Sequence, residues 1–246
     1  MIYAVFCEKG GVGKTATAEA MNDGLRLRGQ RVLAVDVDPQ TSLTAAMNAD
    51  RSKPTLYDLL TGNATPAEAV QTTGRGDLIA GDRSLADIRS ASSGALRDVL
   101  EDLRGRYDSI VIDTPPGRGV LSALAAVAAD ELIIVVNADA FSLQALGNVN
   151  ATLQKAARQG EPVKIRGILI ARYAARTVVC RELADMIEAA AGKMGTQVFQ
   201  TRIRECTAIR TAQAARQSVF SSAPRSNAAQ DYAAFLDELT GEQGHV

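Results

Sequence analysis

Ile2-Tyr3-Ala4-Val5-Phe6-Cys7-Glu8-Lys9-Gly10-Gly11-Val12-Gly13-Lys14-Thr15 opens as an apolar run and closes on a glycine-rich turn, and helical apolar spacing begins at Thr15. A strand that feeds a glycine-rich loop and then a helix is the setting of a phosphate-binding loop. Glycines let backbone N–H groups turn inward without Cβ clashes, and the helix N-terminus presents its positive end to an anion. In that reading Lys14 neutralises β- and γ-phosphate oxygens and Thr15 offers its hydroxyl to Mg²⁺. Gly10, Gly11, Val12, Gly13 and Ala16 line the nucleotide with them. The pattern G-x-x-x-x-G-K-[ST] asks for glycine at position 8; this chain has Glu8 there, followed by a second lysine, Lys9.

Outward from this loop, short β-rich runs alternate with longer Ala/Leu-rich stretches. Strands are expected at Ile2–Cys7, Arg31–Asp36, Asp77–Ala80, Ser109–Asp113, Glu131–Asn137, Lys164–Ile170 and a short Gln197–Phe199. Helical spacing runs over Thr15–Leu27, Ala95–Arg104, Leu121–Ala129, Ser142–Arg158 and Val178–Ala191. SIVID and LIIVV are apolar on both faces, as buried parallel strands must be. The alternation implies a doubly wound, mainly parallel α/β sheet with helices on both faces. Residues 49–76 are the least regular, with turn clusters around a short helix-like TLYDLL. One domain spanning residues 1–246 is the economical expectation.

Two more strand ends carry acids. Val35-Asp36-Val37-Asp38-Pro39-Gln40 places carboxylates one residue apart, on opposite sides of an extended chain, with Pro39 ending the strand. At the C-terminal edge of a parallel sheet, beside a phosphate loop, such acids are placed for Mg²⁺ or for a water near the γ-phosphate. Ser109-Ile110-Val111-Ile112-Asp113-Thr114-Pro115-Pro116-Gly117 has the shape of a Walker B strand, its Asp113 near the metal's water shell and its Pro-Pro-Gly a stiff loop suited to sensing the γ-phosphate.

Composition narrows the class. The chain has 246 residues, 46% hydrophobic and 22% charged, which excludes disordered, collagen-like and coiled-coil readings. No apolar run approaches the ~18 residues needed to cross a bilayer, and no basic-then-apolar leader precedes the first strand. Three scattered cysteines, Cys7, Cys180 and Cys206, argue against a disulfide framework and for a reducing, cytoplasmic setting. The formal net charge of −1 hides an asymmetry: residues 1–150 carry 14 Lys/Arg and 19 Asp/Glu, whereas residues 151–225 carry 13 Lys/Arg and 5 Asp/Glu. Arginine outnumbers lysine ten to three in that second segment, a bias toward phosphate contact and hence toward nucleic acid.

Together, KGGVGKT, VDVDPQ and VIDTPPG, with GILIARY at 167–173 and APRSNAAQDY at 223–232, resemble the ParA/MinD family of deviant Walker A ATPases. The resemblance implies an ATP- and Mg²⁺-dependent protein that dimerises face to face with nucleotide between the subunits. It implies that Lys9 is the signature lysine reaching the partner's phosphates, Lys14 and Thr15 the phosphate and metal ligands, and Asp113 the Walker B acid. Asp38 takes the water-orienting role beside the metal and Asp36 that of an accessory acid. Ala16 stands where many relatives have a second threonine.

The ends of the chain point to one branch. The last helical stretch, roughly Asn227–Leu239, has no Lys or Arg, which disfavours a MinD-like membrane anchor. Iron–sulfur reductase relatives need paired cysteines, and longer partition proteins carry an N-terminal helix-turn-helix region that is not expected here. The short ParA-like branch remains: ATP dimers that bind double-stranded DNA without sequence preference, associate with the nucleoid, and are released when a ParB-like or cargo-adaptor protein stimulates hydrolysis. Arg172, Arg176, Arg202, Arg204, Arg210 and Arg216 are the candidate DNA contacts. The alternatives are a MinD-like positioning regulator and an ATP-dependent small-molecule ligase of the same architecture.

Overall fold

A computed structural model describes residues 1–174 and 177–241. Arg176 and the tail with His245 lie outside the described residues. The chain begins β1 (Ile2–Phe6), α1 (Lys14–Leu27), β2 (Val32–Asp36), α2 (Ser42–Ala46), α3 (Leu56–Leu60), α4 (Pro66–Ala69), β3 (Val70–Thr73) and β4 (Gly76–Ile79). It continues α5 (Ala95–Arg104), β5 (Ser109–Asp113), α6 (Val120–Ala128), β6 (Glu131–Asn137), α7 (Ser142–Arg158) and β7 (Ile165–Ala171). Four helices follow: α8 (Val178–Lys193), α9 (Thr207–Ala214), α10 (Val219–Ser222) and α11 (Asn227–Thr240).

The strands form one sheet in the order β3-β4-β2-β5-β1-β6-β7, parallel throughout except for β3 against β4. All residues of β1, β2 and β5 are buried, because helices cover both faces and leave no position for a charged side chain within a strand. The exceptions, Asp36 and Asp113, end their strands and are Cα partners across β2 and β5. The doubly wound, mainly parallel sheet is therefore as expected.

The irregular stretch holds more order than its composition announces. Thr55 with Asp58 and Thr65 with Glu68 form capping boxes that start α3 and α4, and Pro66 adds a preset φ at the first turn of α4. Val70–Thr73 then turns back on β4 as an antiparallel edge strand, a hairpin missing from the sequence reading. At the other edge, the strand expected at Gln197–Phe199 is reduced to isolated parallel bridges, Val198 to Ile168 and Arg204 to Tyr173. The ladder is interrupted after the Phe199 N–H donates to Ile168: Glu238 of α11 accepts the next donor in register, the Thr201 N–H, at 3.0 Å, together with the Gln200 N–H at 2.7 Å.

α1 packs beneath α10 and α11 through Gly24. A Cβ added there would lie 2.2 Å from Leu236 Cδ1 and 3.1 Å from the Phe220 ring, both buried. Gly24→Ala should therefore lower stability. The helix-propensity gain of ~1 kcal/mol is outweighed by overpacking of about 1–3 kcal/mol, leaving a net loss on the order of 1 kcal/mol. Chemical denaturation checks this; a more stable variant would show that the α1–α11 contact is loose.

Candidate active site

β1 delivers the chain to residues 7–13, where Gly11 and Gly13 take φ of +72° and +104°, a region closed to most side chains. α1 starts at Lys14, so its first N–H groups open onto the loop. Lys14 is 6% exposed and its Nζ donates to the Lys9 carbonyl at 3.1 Å. Burial lowers its pKa, opposed by Cys7, Asp113 and Asp38. A cleft of about 440 Å³ opens over Gly10, Gly13, Lys14, Thr15 and Ala16, with Asp38 and Pro116 on its wall. Thus the residues of the first motif and an acid of the second meet at one cavity.

The three acids have different fates. Asp36 turns to α2, its Oδ2 accepting from the Thr44 N–H at 2.8 Å and the Thr44 hydroxyl at 2.7 Å, while its Oδ1 takes the Asp38 N–H at 3.1 Å. Burial pushes its carboxyl up to about 6 against those hydrogen bonds. Asp38 lines the cleft, and its Oδ1 accepts the Gln40 N–H at 2.9 Å. Asp113 is fully buried, and neither carboxylate oxygen has a hydrogen-bond partner among the described residues. Its carboxyl is pushed well above the usual carboxylate range by burial and by Asp36; the Thr15 hydroxyl and Lys14 act in the opposite sense, the hydroxyl without reaching hydrogen-bond geometry.

An orphaned buried polar group costs about 1–3 kcal/mol, and a charged carboxylate more; a hydrated cation beside Thr15 is the group that would satisfy it. No cluster of three or more His, Cys, Asp or Glu suited to a metal occurs among the described residues. Mg²⁺ on a phosphate loop needs none, since phosphate oxygens, one hydroxyl and waters fill its shell. The donor set of Thr15 with Asp113 and Asp38 behind it fits Mg²⁺ in that manner.

Lys9 behaves unlike Lys14. It pairs with Asp139, in the loop between β6 and α7, and its Nζ lies 5.4 Å from the centre of the exposed Phe141 ring. Both charges are partly exposed, so the pair contributes up to about 1 kcal/mol. Lys9 does not line its own chain's cleft.

The described candidate arginines do not form one surface. Arg172, Arg204 and Arg210 line the nucleotide cleft. Arg172 pairs with Glu205 at 3.0 Å, and Arg204 holds Asp231 of α11 through Nε and Nη2 at 2.9 and 2.6 Å. Arg202 pairs with Glu188 and lies 4.8 Å over the Tyr173 ring, whereas Arg216 stands apart and donates to Asn48. Charge counting had no means of seeing these partners. The sequence reading also missed the far wall of the cleft, built by Ile209 and Gln213 of α9 and by Tyr232, whose hydroxyl shares a 3.2 Å hydrogen bond with Thr17 of α1.

Comparison with known proteins agrees with this geometry. The AAA domain family model matches residues 1–165, and the model of the 4Fe-4S iron sulfur cluster binding proteins of the NifH/frxC family matches residues 117–246. The three cysteines are free, Cys7 and Cys180 buried and Cys206 partly exposed. Chromosome partitioning protein ParA of Caulobacter vibrioides is 32% identical over 201 residues, 76% of this chain and 75% of that protein. The Pyrococcus horikoshii septum site-determining protein MinD, solved with Mg-ADP, superposes with a TM-score of 0.81 at 27% identity, over 100% of this chain and 99% of that one. In fold alone, an ATP complex of a Cyanothece McdA variant superposes with a TM-score of 0.88 at 23% identity over 100% and 98% of the two chains. With a phosphate loop, a buried strand-end acid beside it and these relatives in register over most of its length, the chain belongs to the ParA/MinD family of P-loop ATPases, and it hydrolyses ATP with Mg²⁺.

Proposed function

We propose that this ATPase is a ParA-type positioning protein: it dimerises on Mg-ATP, binds double-stranded DNA without sequence preference, and lets go when a ParB-like or cargo-adaptor partner stimulates hydrolysis. The observation that carries the reading is Lys9. The cleft of its own subunit is served by Lys14, while Lys9 waits outside it in a weak ion pair, available to the phosphates of a second subunit. A cation supplied in trans ties charge neutralisation at the transferred phosphoryl group to dimerisation. Mg²⁺ would supply further neutralisation at the β- and γ-phosphates. Lys14 and the loop N–H groups hold those phosphates, and Asp38 orients the attacking water. Assignment of a role in partition or cargo placement draws on the Caulobacter relative. No helix among the described residues is long and apolar enough to cross a membrane. Nucleoid association would follow from the DNA binding.

Arginines on a duplex release counterions, so log affinity should fall by about 0.9 per neutralised phosphate for each log unit of salt. A dimer presents the arginines of two subunits to one duplex, which makes binding depend on ATP without any change in charge. Because Arg204 is committed to Asp231, the informative substitutions are Arg216→Glu and Arg225→Glu, both exposed and without an acidic partner among the described residues. The pair should weaken binding to all sequences alike and flatten the salt slope by about 0.9 for every phosphate no longer neutralised. Duplex binding at two salt concentrations, with ATP and then ADP, is the test. Equal affinity in both nucleotide states would overturn the nucleotide-gated DNA reading.

A further inference from the structure

The phosphate loop opens on a carboxylate, and binding a polyphosphate does not call for one. An acid beside incoming phosphates is repelled by them unless it is neutralised. Glu8 is neutralised in a specific way. Its side chain is only 7% exposed, and both oxygens are engaged: Oε2 accepts from Arg118 Nε at 2.7 Å and Oε1 from the Thr152 hydroxyl at 2.7 Å. Its backbone carbonyl accepts the Gly117 N–H, also at 2.7 Å.

These three bonds reach two different segments. Gly117 and Arg118 belong to the loop that follows Asp113, and Pro116 of that loop is on the wall of the nucleotide cleft. Thr152 is in the middle of α7, the helix whose leading loop carries Asp139, the partner of Lys9. One residue therefore fastens the phosphate loop both to the segment that walls the cleft at Pro116 and to the helix beside Lys9. On its far side Glu8 borders a cavity of about 540 Å³ between α6 and α7, walled by Phe6, Leu124 and Leu153. A carboxylate that lost its partners would face those apolar side chains as well as water, which makes the bonded arrangement the stable one.

We propose that Glu8 is a positioning residue for ATP hydrolysis: its carboxylate clasps Arg118 and Thr152 and so holds the 114–119 loop at a fixed place over the phosphate loop. Lys14, Thr15 and the loop N–H groups bind nucleotide without the clasp, so opening it affects the chemical step more than binding. Displacement of α7 is transmitted through Thr152 to the same loop.

The test separates this role from plain charge balance at the surface. Glu8→Gln keeps the size and the Thr152 bond but gives up the charge-assisted bond to Arg118. Its affinity for Mg-ATP should stay within about 3-fold, while turnover at saturating Mg-ATP falls ~10-fold or more, since a misplacement of 1 Å costs up to about 10²-fold. Arg118→Gln should reproduce the loss, the double variant should be no slower than either single one, and Glu8→Asp should recover part of the rate. Arg118 is 55% exposed, so its variant folds even where a Glu8 variant does not, and the same split is expected of it. Turnover within 2-fold of wild type, additive losses in the double variant, or loss of nucleotide affinity in step with turnover would each overturn the proposal. Failure of the ATPase reading itself would show elsewhere, as nucleotide binding that survives removal of the Lys14 ammonium.

Discussion

Lys14→Ala should lose ATP binding, with affinity falling on the order of 100-fold or more. Hydrogen bonds between charged partners each contribute about 1.5–3 kcal/mol, and a buried ammonium facing two phosphates makes more than one. The structure adds a reason that the loss will not be an artefact of unfolding. Lys14 is buried with no carboxylate within salt-bridge distance among the described residues, and burial has already lowered its pKa, so its ammonium contributes little to folding. Thr15→Ala removes the hydroxyl that we propose for the metal and should take away the Mg²⁺-dependent part of binding. Calorimetric titration with ATP, with and without Mg²⁺, beside a thermal melt of each apo variant, decides the matter. Wild-type affinity in both variants would remove the phosphate-loop assignment.

Asp38→Ala should keep Mg-ATP binding and slow hydrolysis by about 10²-fold or more, the range for loss of a positioned general-base or water-orienting group. The variant should accumulate as an ATP-bound dimer. Truncation removes a single turn bond, to the Gln40 N–H, so the local fold survives it. Asp36 offers no replacement, because Thr44 and the Asp38 N–H occupy its oxygens. Single-turnover hydrolysis and size-exclusion chromatography with ATP read the two effects separately. Normal turnover would move the water-orienting role to a different group.

The sheet and its chemistry were legible in the sequence for one reason. Parallel strands buried on both faces leave room for acids only at their ends, as at Glu131, Asp36 and Asp113, and of these VDVDPQ and VIDTPPG lie at the C-terminal edge beside the glycine loop. Less was visible where long-range partners decide the structure. Val70–Thr73 is too short and too close to turns to announce a strand; pairing with β4 makes it one. Gln197–Phe199 reads as a strand, but Glu238, some 40 residues later, claims the Thr201 N–H that would continue the ladder. The arginines of the basic segment look alike in sequence, yet Arg204 belongs to Asp231 and Arg202 to Glu188. Lys9 looks like a phosphate ligand, and only the fold reveals that it rests on Asp139, 130 residues away.

The contact between α1 and α11 sets a timetable for biosynthesis. The phosphate loop leaves the ribosome early, but the helix behind it is completed by residues made much later: Thr17 bonds to Tyr232, and Gly24 receives Leu236. Those partners are separated by 215 residues along the chain between Thr17 and Tyr232. At translation rates of about 5–20 residues per second, the loop is out for roughly 10–40 s before its supporting helix can be packed. A nascent chain therefore carries an exposed nucleotide motif without a finished nucleotide site, and competence to bind ATP waits until α11 has been made.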